Sequence, residues 1–109
     1  MSEWNPTGRY PFNWFREYAQ PIWERLLLPH LGDVRTYCEL GIAHAMSLRY
    51  VLENVLAGKQ GAVAVGVDPY NPARSFGDHP REAAERKEIM LANMRLWGEQ
   101  RQSNSTNGA

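Results

Sequence analysis

Two short apolar runs, each ending in a residue of special chemistry, constrain this chain more than any other feature. Tyr37-Cys38-Glu39-Leu40-Gly41 ends in a glycine, and Ala62-Val63-Ala64-Val65-Gly66-Val67-Asp68 ends in an acid followed by Pro69. Between them, residues 43–57 contain no Gly or Pro. They carry Ala43, Ala45, Met46, Leu48, Val51, Leu52, Val55 and Leu56 as a helical repeat, with Gly58 as terminator. Strand, glycine turn, helix and strand in that order predict an α/β unit of parallel strands joined by a crossover helix. Gly41 and Asp68 then meet at the strand carboxyl ends, where open parallel sheets hold their ligands.

The first strand is expected over residues 34–40, with Val34, Tyr37, Cys38 and Leu40 suited to a sheet buried largely on both faces. In that setting Cys38 is a buried, inert thiol. The second strand, 62–67, has the short apolar character of a central parallel strand.

Residues 1–32 form an aromatic preface. Trp4, Tyr10, Phe12, Trp14, Phe15, Tyr18 and Trp23 are separated by Pro6, Pro11, Pro21 and Pro29, which limit helices to brief pieces at 14–19 and 22–28. The second piece offers Trp23, Leu26 and Leu27 as its apolar face. This preface packs beside the sheet or roofs the pocket, and scattered aromatics favour packing over a ligand-stacking surface.

After Asp68 the residues from 70 to 79 read as a loop able to cross the pocket mouth. A helix starts at Asp78 or His79, with Pro80 near its first turn, and runs over 81–97 until Gly98. Its inward face is Ile89, Ala92 and Leu96, extended by Met90, Met94 and Trp97. Residues 99–109 lack an apolar anchor and read as a frayed tail. The organisation is thus a preface over 1–32, a partial α/β unit over 33–98 and a tail over 99–109. With 109 residues there is no room for a separate substrate domain. Two strands leave edges open, which self-association into a homo-oligomer would cover.

Twelve basic and twelve acidic side chains give a formal net charge of zero, so no electrostatic capture of nucleic acid or anionic membrane is expected. One cysteine, no secretory leader pattern and no long apolar run point to a soluble cytoplasmic protein. His30, His44 and His79 lack metal-like spacing, and no phosphate loop or nucleophile elbow occurs.

The run Cys38-Glu39-Leu40-Gly41 through Ser47, with Gly66-Val67-Asp68-Pro69-Tyr70, resembles the class I S-adenosylmethionine-dependent methyltransferases. Their first motif runs Leu-Glu-Ile-Gly, then Gly-x-Ser, then a crossover helix and Val-Asp-Pro. The resemblance covers residues 10–98 and implies a Rossmann-like methyltransferase fold, incomplete after the helix at 81–97. It implies S-adenosyl-L-methionine as cofactor and a small molecule as methyl acceptor. Gly41 would embrace the methionine part, Asp68 would accept hydrogen bonds from the ribose hydroxyls, and Glu39 would orient pocket waters or the cofactor amino group. Ser47 and His44, at the start of the crossover helix, are further candidates for ligand contact. One departure stands out: Ala45 occupies the place of the second glycine and adds a beta carbon to the turn.

The bland reading of each residue is a strand-end carboxylate held by backbone donors for Glu39, a turn cap for Asp68, a plain turn for Gly41 and a helix-start cap for Ser47. The sequence names no catalytic base. The alternative to an active methyltransferase is a catalytically inactive, shortened binding or self-association module. A nicotinamide oxidoreductase fragment is weaker, because the G-x-G-x-x-G fingerprint is incomplete.

Overall fold

The computed structural model describes residues 4–70 and 80–107. A π-helical turn, Phe15–Ala19, runs into helix α1, Gln20–Leu26, and a 3-10 turn, Leu28–His30, precedes strand β1, Thr36–Leu40. Helix α2, Met46–Asn54, crosses to strand β2, Val63–Val67, and helix α3, Pro80–Asn107, closes the order. β1 and β2 are parallel and in register from Thr36 opposite Val63 to Leu40 opposite Val67. The result is a small mixed α/β fold with parallel strands and interspersed helices.

Strand alternation decides where the core sits. Tyr37 and Ala64 point toward α2, where Ile42, Ala45 and Leu48 form one buried cluster and Val51, Val55 and Leu56 a second. Gly66 belongs to this face by close approach. A beta carbon there would stand 2.8 Å from Ile42 Cγ2 and 3.1 Å from Leu48 Cδ2, so the residue entering α2 lies directly on the strand backbone.

The other sheet face is bare. Thr36, Cys38, Val63, Val65 and Val67 are exposed, and Leu40 retains 80% of its accessible surface. This corrects the expectation of a sheet buried on both faces, and of Cys38 as a buried thiol. The inward face is covered because α2 and the preface supply its apolar partners; no described element crosses the outward one.

The aromatic preface divides in two. Trp4, Phe15 and Trp23 gather around the buried Tyr50 ring of α2 at centroid distances of 5.2, 5.1 and 6.1 Å, and Phe15 meets Trp23 edge-on at 5.0 Å. These are packing residues. Phe12, Trp14 and Tyr18 are exposed, as are Leu26 and Leu27, so the apolar face expected of α1 is reduced to Trp23.

α3 departs from its sequence reading at both its face and its length. Ala83, Ile89 and Asn93 are buried, whereas Ala92 and Leu96 are exposed. Gly98 does not stop the helix, which continues to Asn107 where a frayed tail was expected. Tertiary contacts hold this extension, for Gln100 accepts hydrogen bonds from Thr7 and Arg49. The Arg101 guanidinium also lies 5.4 Å from the Trp97 ring. The expected helix start at Asp78 or His79 and most of the 70–79 loop lie outside the described residues.

Candidate functional site

Parallel register sets Gly41 and Asp68 side by side at the carboxyl ends of β1 and β2, one residue beyond the paired Leu40 and Val67. The Gly41 N–H donates to the Val67 carbonyl at 2.7 Å, extending the ladder into the turn. Gly41 has φ +81°, a left-handed conformation that glycine adopts freely, and the space where its beta carbon would project holds no atom within 4 Å.

Asp68 closes the site by gripping backbone. One carboxylate oxygen accepts the Ala43 N–H at 2.9 Å, and the other accepts the N–H of Tyr70, also at 2.9 Å. The Tyr70 hydroxyl in turn donates to the Ala43 carbonyl. Both peptide groups flanking Ala43 are therefore fixed by the segment following β2. Burial, and then the Asp68 carboxylate, push the Tyr70 phenol well above its ordinary pKa, so it remains a proton donor.

Left-handed backbone is concentrated here. Ala43, Ala45 and Tyr70 are the described non-glycine residues with positive φ, at +45°, +73° and +48°. Each costs on the order of 1 kcal/mol or more, and such strain clusters where a loop is shaped for a ligand. Ala45 is wholly buried and stands where the resembled motif has its second glycine. The alanine thus keeps a glycine-like conformation despite its beta carbon.

Glu39 occupies the inward face of β1. Its two carboxylate oxygens accept from the Tyr37 hydroxyl and from Ser47 Oγ, the latter at 2.7 Å. Ser47 therefore links α2 to β1 instead of capping its own helix, and Glu39 is satisfied by side-chain donors where backbone donors were the bland expectation. Burial first, and the Glu39 hydrogen bond second, hold the Tyr37 phenol far above its ordinary pKa. Neither Tyr37 nor Tyr70 can serve as a base near neutrality. Each carboxylate oxygen of Glu39 and Asp68 keeps further acceptor capacity for a hydroxyl or ammonium donor.

His44 lies inside the same loop but turns toward the preface and α3. Its ring is 6.0 Å from Phe12, and burial, followed by the Arg86 and Arg9 charges, lowers its pKa below the usual imidazole value. With its pKa lowered, the buried histidine is neutral at pH 7.

The structure also shows two residues that the sequence reading passed over. Arg49 of α2 is 0% exposed and donates to the Thr7 carbonyl, to Tyr10 Oη at 3.1 Å, to Thr7 Oγ1 at 3.3 Å and to Glu53 at 2.9 Å. Asn93 of α3 exchanges two bonds with the Arg9 backbone, each 2.9 Å, and donates to the His44 carbonyl at 2.9 Å. Both interrupt an apolar helical stripe: Arg49 falls four residues after Ala45, and Asn93 four after Ile89. A polar side chain on a stripe is the signal that would have found them.

Two grooves lie elsewhere on the molecule. One, of about 750 Å³, runs from Leu56 and Lys59 to Trp97; the other, of about 800 Å³, lies between Gly8 and α3. Neither includes Glu39, Gly41, Ser47 or Asp68. Among the described residues there is no cluster suited to a metal ion, and no helix is long and apolar enough to cross a membrane. Comparison with family models, curated proteins and solved structures gave no match.

Proposed function

We propose that this chain carries the first cofactor loop of a Rossmann-like, S-adenosylmethionine-dependent methyltransferase acting on a small-molecule acceptor. The observation that carries this reading is the loop between Gly41 and Met46. It leaves β1 through a left-handed glycine, is held by Asp68 across the strand ends, and keeps a left-handed residue at Ala45. Open space before Gly41, together with free acceptor capacity on Asp68 and Glu39, fits a ligand bearing ribose hydroxyls and an ammonium group. Such a cofactor supplies an electrophilic methyl group, whose bond to sulfur breaks as its bond to the acceptor forms, sulfur keeping the electron pair.

On this reading Gly41 lets the backbone approach the methionine portion, Asp68 accepts from the ribose and Glu39 accepts from the amino group, while Ser47 and Tyr37 orient Glu39. No side chain is aimed as a base, so acceleration rests on holding donor and acceptor in line, with the acceptor proton released to water. Calorimetric titration of the purified chain with S-adenosylmethionine and S-adenosylhomocysteine tests it. Saturable binding to both, weakened in Asp68→Asn, is expected; no heat with either ligand removes the reading for this chain.

A second reading is favoured by the bare sheet face. Leu40, Val63, Val65 and Val67 form an apolar surface with no described cover, as expected of a catalytically inactive self-association module. Sedimentation equilibrium distinguishes the two: a homo-oligomer that binds neither ligand supports the module, and a monomer that binds both excludes it.

A further inference from the structure

The groove of about 750 Å³ between the end of α2 and α3 is built on fixed walls. One wall is the last turn of α2 with the segment leading to β2, and the other is α3 around Trp97 and Arg101. Arg49, buried on α2, reaches Gln100 of α3 at 3.2 Å and also binds Glu53 at 2.9 Å, so one side chain sets the distance between the walls. The turn is held separately, because Lys59 Nζ donates to the Leu31 and Val34 carbonyls at 2.8 and 2.7 Å. A ligand entering here meets a preformed space of the size that suits a small organic molecule.

We propose that this groove binds a small organic oxyanion, an apolar body ending in a phosphate or carboxylate group. Lys59 and Arg101 bring two cations to the lining, and among the described residues neither makes an ion pair. Lys59 gives two of its three protons to neutral carbonyls, which fix its charge without cancelling it. The Arg101 guanidinium lies over the Trp97 ring, a stacked arrangement that leaves its in-plane N–H donors for an oxyanion. The acid in the lining, Glu53, is already engaged, its oxygens accepting from Arg49 and from Trp4 Nε1 at 3.1 Å. Leu52, Ala62 and Trp97 are half-buried and keep apolar surface on the groove, which supplies the contact for the ligand body. The uncancelled cations set the sign of the ligand, and the apolar lining separates an organic anion from a bare one. None of Glu39, Gly41, Ser47 and Asp68 lines this groove, so its occupancy does not rest on the methyl-transfer reading.

The test is a titration of the full chain with phenyl phosphate, followed by the NMR signals of the Trp97 indole N–H and the Gly58 and Gly61 amides. Benzyl alcohol, which keeps the ring and lacks the charge, and inorganic phosphate, which lacks the ring, are the comparison probes. Saturable shifts at all three signals with phenyl phosphate are expected, with roughly tenfold weaker binding of either comparison probe. Arg101→Gln, at an exposed position, should weaken phenyl phosphate binding about threefold to tenfold at an unchanged thermal midpoint. Arg95→Gln, on α3 but outside the groove, should leave it unchanged. Raising the salt from about 0.05 M to about 0.5 M should weaken binding of phenyl phosphate and not of benzyl alcohol. Equal affinity for phenyl phosphate and either comparison probe, shifts confined to other surfaces, or the same affinity in the Arg101 and Arg95 variants would overturn the site. Asp68→Asn separates this proposal from methyl transfer: phenyl phosphate affinity should survive that substitution, and a loss matching that of Arg101→Gln would move the probe to the strand ends and remove the groove as its site.

Discussion

Asp68 accepts the backbone N–H of Ala43 at 2.9 Å, across the gap between the ends of two parallel strands. This one bond joins the turn after β1 to the turn after β2 and shapes the space a ligand would enter. A residue that the sequence offered either as a ribose contact or as a turn cap is thus a structural tie between two turns.

Asp68→Ala should destabilise the protein by about 1–2 kcal/mol, because the Ala43 and Tyr70 N–H groups lose a charged acceptor at a partly solvated site. Asp68→Asn, which retains one acceptor oxygen, should lose about half as much. Urea denaturation midpoints of the three proteins check this. Identical midpoints would show that the tie contributes nothing to stability.

At Ala45, substitution by glycine removes a buried methyl group but relieves a left-handed alanine. The two effects, each about 1 kcal/mol, oppose one another, so Ala45→Gly is expected to leave stability within about 1 kcal/mol of the parent. Ala45→Val, with a branched side chain at φ +73°, should cost more than about 2 kcal/mol. Thermal melts of both variants decide it, and a large loss in Ala45→Gly would show that the strain is absent.

Arg49→Met should cost about 3 kcal/mol, the lower end of the range for breaking a buried pair, since the Glu53 side chain stays 26% exposed. The loss should be local as well as global. Hydrogen exchange at Arg9, whose N–H is bonded to Asn93, should accelerate more than exchange within β1 and β2. Equal acceleration throughout would mean that Arg49 supports the whole core and is not a specific anchor for the preface.

His44 makes stability depend on pH with a definite sign. Its folded pKa lies below the unfolded value of 6.5, so between the two the unfolded chain binds a proton that the folded chain does not. Its contribution is present above pH 6.5 and lost as pH falls through the folded pKa. The parent should therefore lose more stability from pH 7.5 to pH 5.5 than His44→Gln does, as measured by denaturant midpoints at each pH. An equal loss would place the pH dependence on other groups.

Much of the framework was legible because it is written in local pattern. Apolar runs at 34–40 and 62–67, a glycine-free helical stripe between them and the special residues Gly41 and Asp68 located both strands, found at Thr36–Leu40 and Val63–Val67, the crossover helix and the place where they meet. Ser47 and Glu39 were singled out separately, but their hydrogen bond was not foreseen, since it depends on how α2 lies on β1. Asp68 was recognised as an acid at a strand end; that its partner is the Ala43 backbone follows from the left-handed turns, which composition does not reveal.

The sequence by itself determined the order of elements and the parallel pairing, because periodicity and turn chemistry act over a few residues. Only the tertiary structure decided which sheet face is covered, which aromatics pack and how far α3 runs. Leu40 and Tyr37 are both large and apolar in the same strand, yet one is open and the other half-buried. What separates them is the side on which α2 and the preface lie. Helix α3 likewise passes Gly98 because Gln100 finds Thr7 and Arg49. Burial is a property of what a residue meets across the fold, and contacts such as Arg49 with Thr7, forty-two residues apart, leave no mark in either local segment.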